Sequence, residues 1–216
     1  MSLARPVETS VATPSGSLRW YALLFSAPRA REALAAMFEL ESELRDATAP
    51  RQDHAVAHTR LQWWRAEIDR LRGGHPQHPI TQALRRLDEG ADFGLLHEIM
   101  SGADLEMAGL TYASDAELDA YLFRSAGALH WMAAALAAPQ VEADALRPWA
   151  TGVGRVVRLV EVIRDLGLEA WHGRLFIPLD LLERHGLAPD GMQSRDLGPA
   201  ARAVLEIGRA SCRERV

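Results

Sequence analysis

The chain has 216 residues, enough for one hydrophobic core, and is expected to form a single domain. Its 48% hydrophobic and 25% charged content is that of an ordinary globular protein, and a formal charge of −5 argues against nucleic acid as a partner. Every basic residue is arginine, and the bias toward Ala, Leu, Arg and Gly reads as a GC-rich genome rather than a function. No apolar run reaches the length of a membrane span, the longest lying around Met132–Ala138, and the N-terminus lacks an apolar signal core. The expected compartment is therefore the cytoplasm.

Residues 1–16 are polar, carry Pro6, Pro14 and Gly16, and have no periodicity, so they are expected to be a disordered lead-in. Ser17 stands where it would cap a short helix, SLRWYALLFSA, that ends before Pro28. Arg29–Thr48 is helix-forming throughout, is closed by Pro50, and has Ala33, Ala36, Met37, Leu40 and Leu44 as its apolar stripe. Its acidic residues Glu39 and Glu43 read as a solvated face. Gln52–Arg72 forms a third helix, in which Trp63 and Trp64 lie about 100° apart and can both be buried only at a crowded junction. His54 and His58 have a zinc-compatible spacing, but no third ligand stands in a recognisable place. The His-Pro-Gln-His-Pro run after Gly74 is a turn.

Two further helices, Ile80–Glu89 and Phe93–Gly109, are separated by Gly90, with Arg85, Arg86, Asp88 and Glu89 expected to face solvent. Ser114 and Glu117 form a capping box that opens a long helix through Ala138. Its small residues Ser125, Ala126, Gly127 and Ala128 permit a close helix approach or line a tunnel, and His130 reads as a satisfied core histidine. After the turn Pro139–Asp144 comes the helix Ala145–Glu169, which from Val156 to Leu166 is apolar nearly all round, the pattern of a buried helix. One thin polar line interrupts it: Arg158, Glu161, Asp165 and Glu169, at spacings of three and four, fall within an arc of about 80°. Ionised groups inside a core must be paired or hold a cation. The helix stops at Gly173, and Asp196–Leu205 begins another. Glu206–Val216, EIGRASCRERV, resembles the translation of a common sequencing adapter. Residues 207–216 are therefore set aside as an artefactual tail, and no thiol chemistry is argued from Cys212, the only cysteine. Residues 17–206 remain as a helical domain that is expected to be incomplete at its C-terminus and to expose an apolar patch where further helices would dock.

The stretch IRDLGLEAWHGRLFIPLDLL resembles the second aspartate-rich motif of the squalene/phytoene synthase family, RDxxxD followed by RGRxYLP. LQWWRAEIDRL and LDAYLFRSAGALHWMAAALAA are similar to two other stretches of that family. The resemblance implies an all-α antiparallel helical bundle of the isoprenoid synthase type. It also implies head-to-head condensation of two prenyl diphosphates, with Mg²⁺ held between two carboxylate-bearing helices. On that implication Asp165 and Glu169 are the catalytic metal ligands and Arg174 steadies the leaving diphosphate. Ser17 and Tyr21 loosely match the family's diphosphate-holding start, with a helix cap and a core tyrosine as the alternative.

The family's first motif, YAFxRxxDDxxD, falls on LAAMFELESELRDATA without a gap. There the tyrosine becomes Phe38, the arginine Ser42, the first aspartate Arg45 and the last Ala49, and only Asp46 remains. On the second motif helix, the family's glutamine and asparagine become Arg158 and Glu161. Mg²⁺ needs several oxygens in octahedral array, and a guanidinium stands at the key position. Arg45 is expected to fill the metal's space, pairing with Glu41 one turn earlier or reaching across to Glu161, Asp165 or Glu169.

Three functions follow from these residues. The favoured one is a family relative with a degenerate metal site, non-catalytic or atypical, that binds an isoprenoid lipid or a protein partner. The run AxxFELESELR resembles the mitochondrial complex I assembly factor built on this fold. The second is an active Mg²⁺-dependent prenyltransferase acting on prenyl diphosphates, and the third a plain helical bundle with a buried ion-pair network. None involves nucleic acid, and membrane contact is at most peripheral, at the inner face.

Overall fold

The structure is a computed structural model that describes residues 10–49, 52–86 and 92–189. Regular structure among those residues is entirely helical. α1 (Leu18–Phe25) begins where the Ser17 hydroxyl accepts from the Trp20 amide at 3.1 Å. α2 (Pro28–Ala47) starts on a proline whose missing N–H needs no partner in a first turn. α3 (His54–Arg72) is capped by Asp53, whose carboxylate accepts from the amides of Ala55 and Val56. α4 (Pro79–Arg86) and α5 (Leu95–Ala108) follow, the latter closed by Gly109 at a φ of 59°, in the left-handed region that favours glycine.

α6 (Asp115–Leu122) and α7 (Ala128–Ala137) are joined by a π-helical turn, Phe123–Gly127. The capping residue Ser114 accepts from the Glu117 amide, while the Glu117 carboxylate reaches one residue further back, to the Ala113 amide at 2.8 Å. The single long helix expected from Ser114 to Ala138 is thus widened in its middle, and the cause lies in its neighbours. A Cβ on Gly102 of α5 would sit 2.9 Å from the Ser125 amide nitrogen. One on Gly154 of the following helix, α8 (Ala143–Trp171), would sit 2.6 Å from the Ala126 carbonyl oxygen. Two glycines therefore let two helix backbones approach the turn, α5 at Arg124 and Ser125 and α8 at Ala126 and Gly127. α9 (Leu179–Arg184) ends the described chain.

The main core gathers the apolar stripes of α2, α3, α5 and α7, with Met37, Leu40, Leu61, Ile68, Leu96 and Met132 at its centre. Trp64 lies in it, whereas Trp63 stays about half exposed and edge-packs against Trp64 and His78. Glu67 of α3 is completely buried and holds the Pro-rich turn. It accepts from the Gln77 and His78 amides at 2.8 Å each, from the Thr81 hydroxyl and from Arg70 at 2.7 Å. Burial alone would raise its pKa, but these donors more than offset that and hold it at about 2.

α8 departs from the reading of a fully buried helix. It packs one face, Ala150, Gly154, Val162, Leu166 and Ala170, against α7, the π turn and the segment that follows α8. No described element covers the opposite flank, so Trp149, Val153, Val160, Leu168 and Trp171 are exposed. The N-terminal lead-in also differs from expectation. From Ser10 onward it is folded, with Ala12 buried against Leu23, Leu34 and Phe38. Asp88, Glu89, the helix expected over Asp196–Leu205 and the terminal segment with Cys212 lie outside the described residues.

Candidate functional site

α2, α5 and the π turn meet at a narrow pocket lined by Glu41, Arg45, Thr48, Ile99, Glu106 and Ser125, and α8 joins it through the ion pair of Arg45 with Glu161. Helical spacing brings these groups together. Glu41, Arg45 and Thr48 repeat at four and three along α2, and Arg158 and Glu161 at three along α8.

Arg45 is the bridge between the two helices. Its Nε donates to Glu41 Oε1 at 3.0 Å and its Nη2 to Glu161 Oε2 at 2.9 Å. The same Glu161 oxygen accepts from Arg158 Nη1 at 3.1 Å. Arg158 continues the chain of contacts, donating through Nη2 to Glu106 Oε1 at 2.8 Å and through Nε to the Tyr121 hydroxyl at 2.9 Å. That hydroxyl in turn donates to Glu106 Oε1, and the Thr48 hydroxyl reaches Glu106 Oε2 at 3.3 Å. At the outer end, Arg19 Nη2 lies 2.6 Å from Glu41 Oε2, an ion pair set off the hydrogen-bond direction. The Arg158 guanidinium also faces the rings of Tyr121 and Phe176 at 5.6 and 5.8 Å.

Burial and neighbouring charges act on four members of this network, Arg45, Tyr121, Arg158 and Glu161. Burial alone would lower the pKa of Arg45, yet the carboxylates of Glu41 and Glu161 more than offset it and the pKa rises. Burial likewise opposes the ionisation of Glu161, and Arg45 and Arg158 overcome it, so its pKa falls. Arg158 is raised by Glu106 and Tyr121 against the effect of its own burial. The Tyr121 phenol, buried beside Glu106, is pushed well above its ordinary value and stays protonated.

The other residues singled out in the sequence fall around this network. Asp165 is paired with its neighbour Arg164 at 2.8 Å, which holds its pKa below the usual carboxylate range. Glu169 accepts from Arg174 Nε at 2.6 Å, and Arg174 also points Nη1 at the Thr48 carbonyl on α2, 3.5 Å away. Ser17 caps α1. Tyr21 is 46% exposed and packs edge-on to Trp20, so it is not a core tyrosine. Asp46, the one aspartate remaining in the first motif, is exposed. His58 contacts Gln62, and His130 bonds the Ala126 carbonyl. Among the described residues, no group of three or more His, Cys, Asp or Glu is placed to hold one metal ion.

Three participants escape the sequence reading. Glu106 is one of three acidic residues on α5, with Glu98 and Asp104, and no motif sets it apart from them. Arg19 sits in a helix too short for its faces to be told apart. Tyr121 opens the YLFRSAG stretch that resembles the family, and that is the one signal that could have found it.

This all-helical architecture is that of the isoprenoid synthases. The dehydrosqualene synthase crystallised with a ligand superposes with a TM-score of 0.82 at 16% identity, over 93% of this chain and 70% of that one. The squalene synthase from Alicyclobacillus acidocaldarius superposes with a TM-score of 0.79 at 15% identity, over 94% and 77%. In sequence, the chain is 28% identical to phytoene synthase from Thermus thermophilus over 147 residues, 66% of this chain and 49% of that protein. It is also 28% identical to presqualene diphosphate synthase from Rhodopseudomonas palustris over 179 residues, 78% and 61%. The chain thus spans about half the length of the curated relatives it matches. The squalene/phytoene synthase family pattern matches residues 13–214, which takes in most of the adapter-like segment. The chain belongs to the squalene/phytoene synthase family.

Proposed function

We propose that this protein keeps the family fold but does not condense prenyl diphosphates, and that it binds an isoprenoid lipid, alone or together with a protein partner. The observation that carries this reading is the seat of Arg45. It stands on α2 where the family pattern has a metal-binding aspartate, and it is joined to Glu41 and Glu161. Mg²⁺ supplies charge neutralisation and open coordination to an ionising diphosphate, and it takes bare carboxylate oxygens in octahedral array. The donor set here does not fit that requirement. Glu161 is held by two arginines, Glu169 by Arg174 and Asp165 by Arg164. A fixed guanidinium matches a cation in charge, but it offers no coordination site to a leaving diphosphate.

The test is diphosphate release from farnesyl and geranylgeranyl diphosphates with Mg²⁺, using the protein as its gene encodes it. The expected result is no release above the rate without protein, with the chain folded by circular dichroism. Turnover that disappears in Asp165→Asn establishes the prenyltransferase instead and ends this reading.

A further inference from the structure

The ion network around the pocket closes on itself. Arg19, Arg45 and Arg158 face Glu41, Glu106 and Glu161, so among the described residues lining the pocket no cation is left over. The Thr48 hydroxyl is committed as well, to the Leu44 and Arg45 carbonyls and to Glu106. One polar group remains. Ser125 Oγ is buried, lines the pocket, and makes no hydrogen bond with any described residue. An unmade hydrogen bond on a buried hydroxyl is unfavourable, and native proteins rarely leave one without cause.

The position of this hydroxyl is built into the backbone. Ser125 is the third residue of the π turn, and such turns are frequent at functional sites because they re-aim side chains out of the helical register. Gly102 and Gly154 each pack against the backbone of the turn, at distances where a Cβ would force a shift. Beside the hydroxyl, Leu44, Ile99 and Ala103 supply an apolar wall.

We propose that this pocket receives the uncharged hydroxyl end of a prenyl alcohol, hydrogen-bonded to Ser125 Oγ, and that it discriminates against prenyl diphosphates. The proposal rests on the isoprenoid-binding reading above. A diphosphate brings several negative charges into a site whose arginines are all engaged. To be neutralised it must draw them from Glu41, Glu106 or Glu161, leaving a carboxylate buried and unpaired. A hydroxyl brings no charge, and Ser125 Oγ can either donate to it or accept from it. The apolar wall takes the first isoprene carbons.

The experiment titrates farnesol and farnesyl diphosphate into the protein, each with and without Mg²⁺, followed by tryptophan fluorescence and calorimetry. Farnesol is expected to saturate with the same affinity whether or not Mg²⁺ is present, at least tenfold more tightly than the diphosphate. Ser125→Ala is expected to weaken farnesol about five- to tenfold, the effect of one lost hydrogen bond, and to leave the hydrocarbon farnesene unaffected. Diphosphate binding that is tighter, or that requires Mg²⁺, overturns this inference and leaves the isoprenoid-binding reading standing. Farnesol binding indifferent to Ser125→Ala in a folded variant also overturns it, because the alcohol then sits elsewhere. If neither ligand binds, both readings fall.

Discussion

Replacing Arg45 by methionine keeps most of its apolar stem and removes the charge that joins α2 to α8. Glu41 has 3% of its surface exposed, and the variant leaves it facing Arg19 alone, in the off-axis contact. Glu161 keeps only Arg158. Breaking one side of a buried pair costs about 3–5 kcal/mol. Here the Arg45 side chain is 37% exposed, so solvent screens part of the interaction, and each carboxylate retains one arginine. The expected loss is therefore smaller, about 2 kcal/mol, which for a chain of this size lowers the melting temperature by roughly 4–8 °C. Urea unfolding followed at 222 nm measures it directly. The double variant Arg45→Met with Glu41→Gln supplies the control, since it removes the buried charge along with its partner. It should lose at least 1 kcal/mol less than the sum of the two single variants. A loss below about 0.5 kcal/mol in the single variant, with strict additivity in the pair, refutes the bridge. It would mean that Arg45 spends its time in solvent.

Two further outcomes test how the site is held. Glu67 is completely buried, and the gap between an ordinary 4.5 and about 2 corresponds to about 3 kcal/mol. Because its folded pKa is depressed, that stability is fully present above pH 4.5 and drains away as pH falls toward 2. Glu67→Gln should unfold more easily at pH 7 and lose less than the parent between pH 5 and pH 2.5. Parallel pH profiles for the two would remove Glu67 as the anchor of the turn. Gly154→Ala should cost about 1–3 kcal/mol, since its Cβ would meet the Ala126 carbonyl at 2.6 Å and force α8 off the π turn. The alanine variant melting within 1 °C of the parent would show that α8 and the turn do not meet as described.

The sequence carried the helices well and their ends less evenly. Ser17 opens α1 as its side chain implies, whereas Asp53 and Gly109, whose cap signals are equally local, fall inside the helices expected from the sequence and stand instead at the ends of α3 and α5. Arg45 could be placed beside Glu41 because the two lie one helical turn apart, while across the gap the sequence offered Glu161, Asp165 and Glu169 alike, and Arg45 contacts Glu161. What stayed hidden depends on contacts between helices. The π turn arises because Gly102 and Gly154 let two backbones approach it, and neither glycine lies within twenty residues of Ser125. The exposed flank of α8 was unreadable for a related reason. Apolar residues all round a helix report what could be buried, and only the surrounding elements decide what is.

The two halves of the site differ in a way that bears on how α2 and α8 are kept at their distance. Divalent ions gripped from both sides would hold two helices together only while bound. Here the link is covalent to the chain, with Arg45 reaching from α2 to Glu161, and Arg174 reaching back from the end of α8 toward the Thr48 carbonyl. Both contacts form as the protein folds, so the spacing of the helices needs no ligand to set it. An aspartate at position 45 would leave Glu41 to Arg19 and Glu161 to Arg158, bring a further negative charge between them, and remove the side chain that joins the two helices there. On the reading proposed above, the arginine is therefore what allows this fold to keep the acidic residues of α8 in place without the metal that the family pattern calls for.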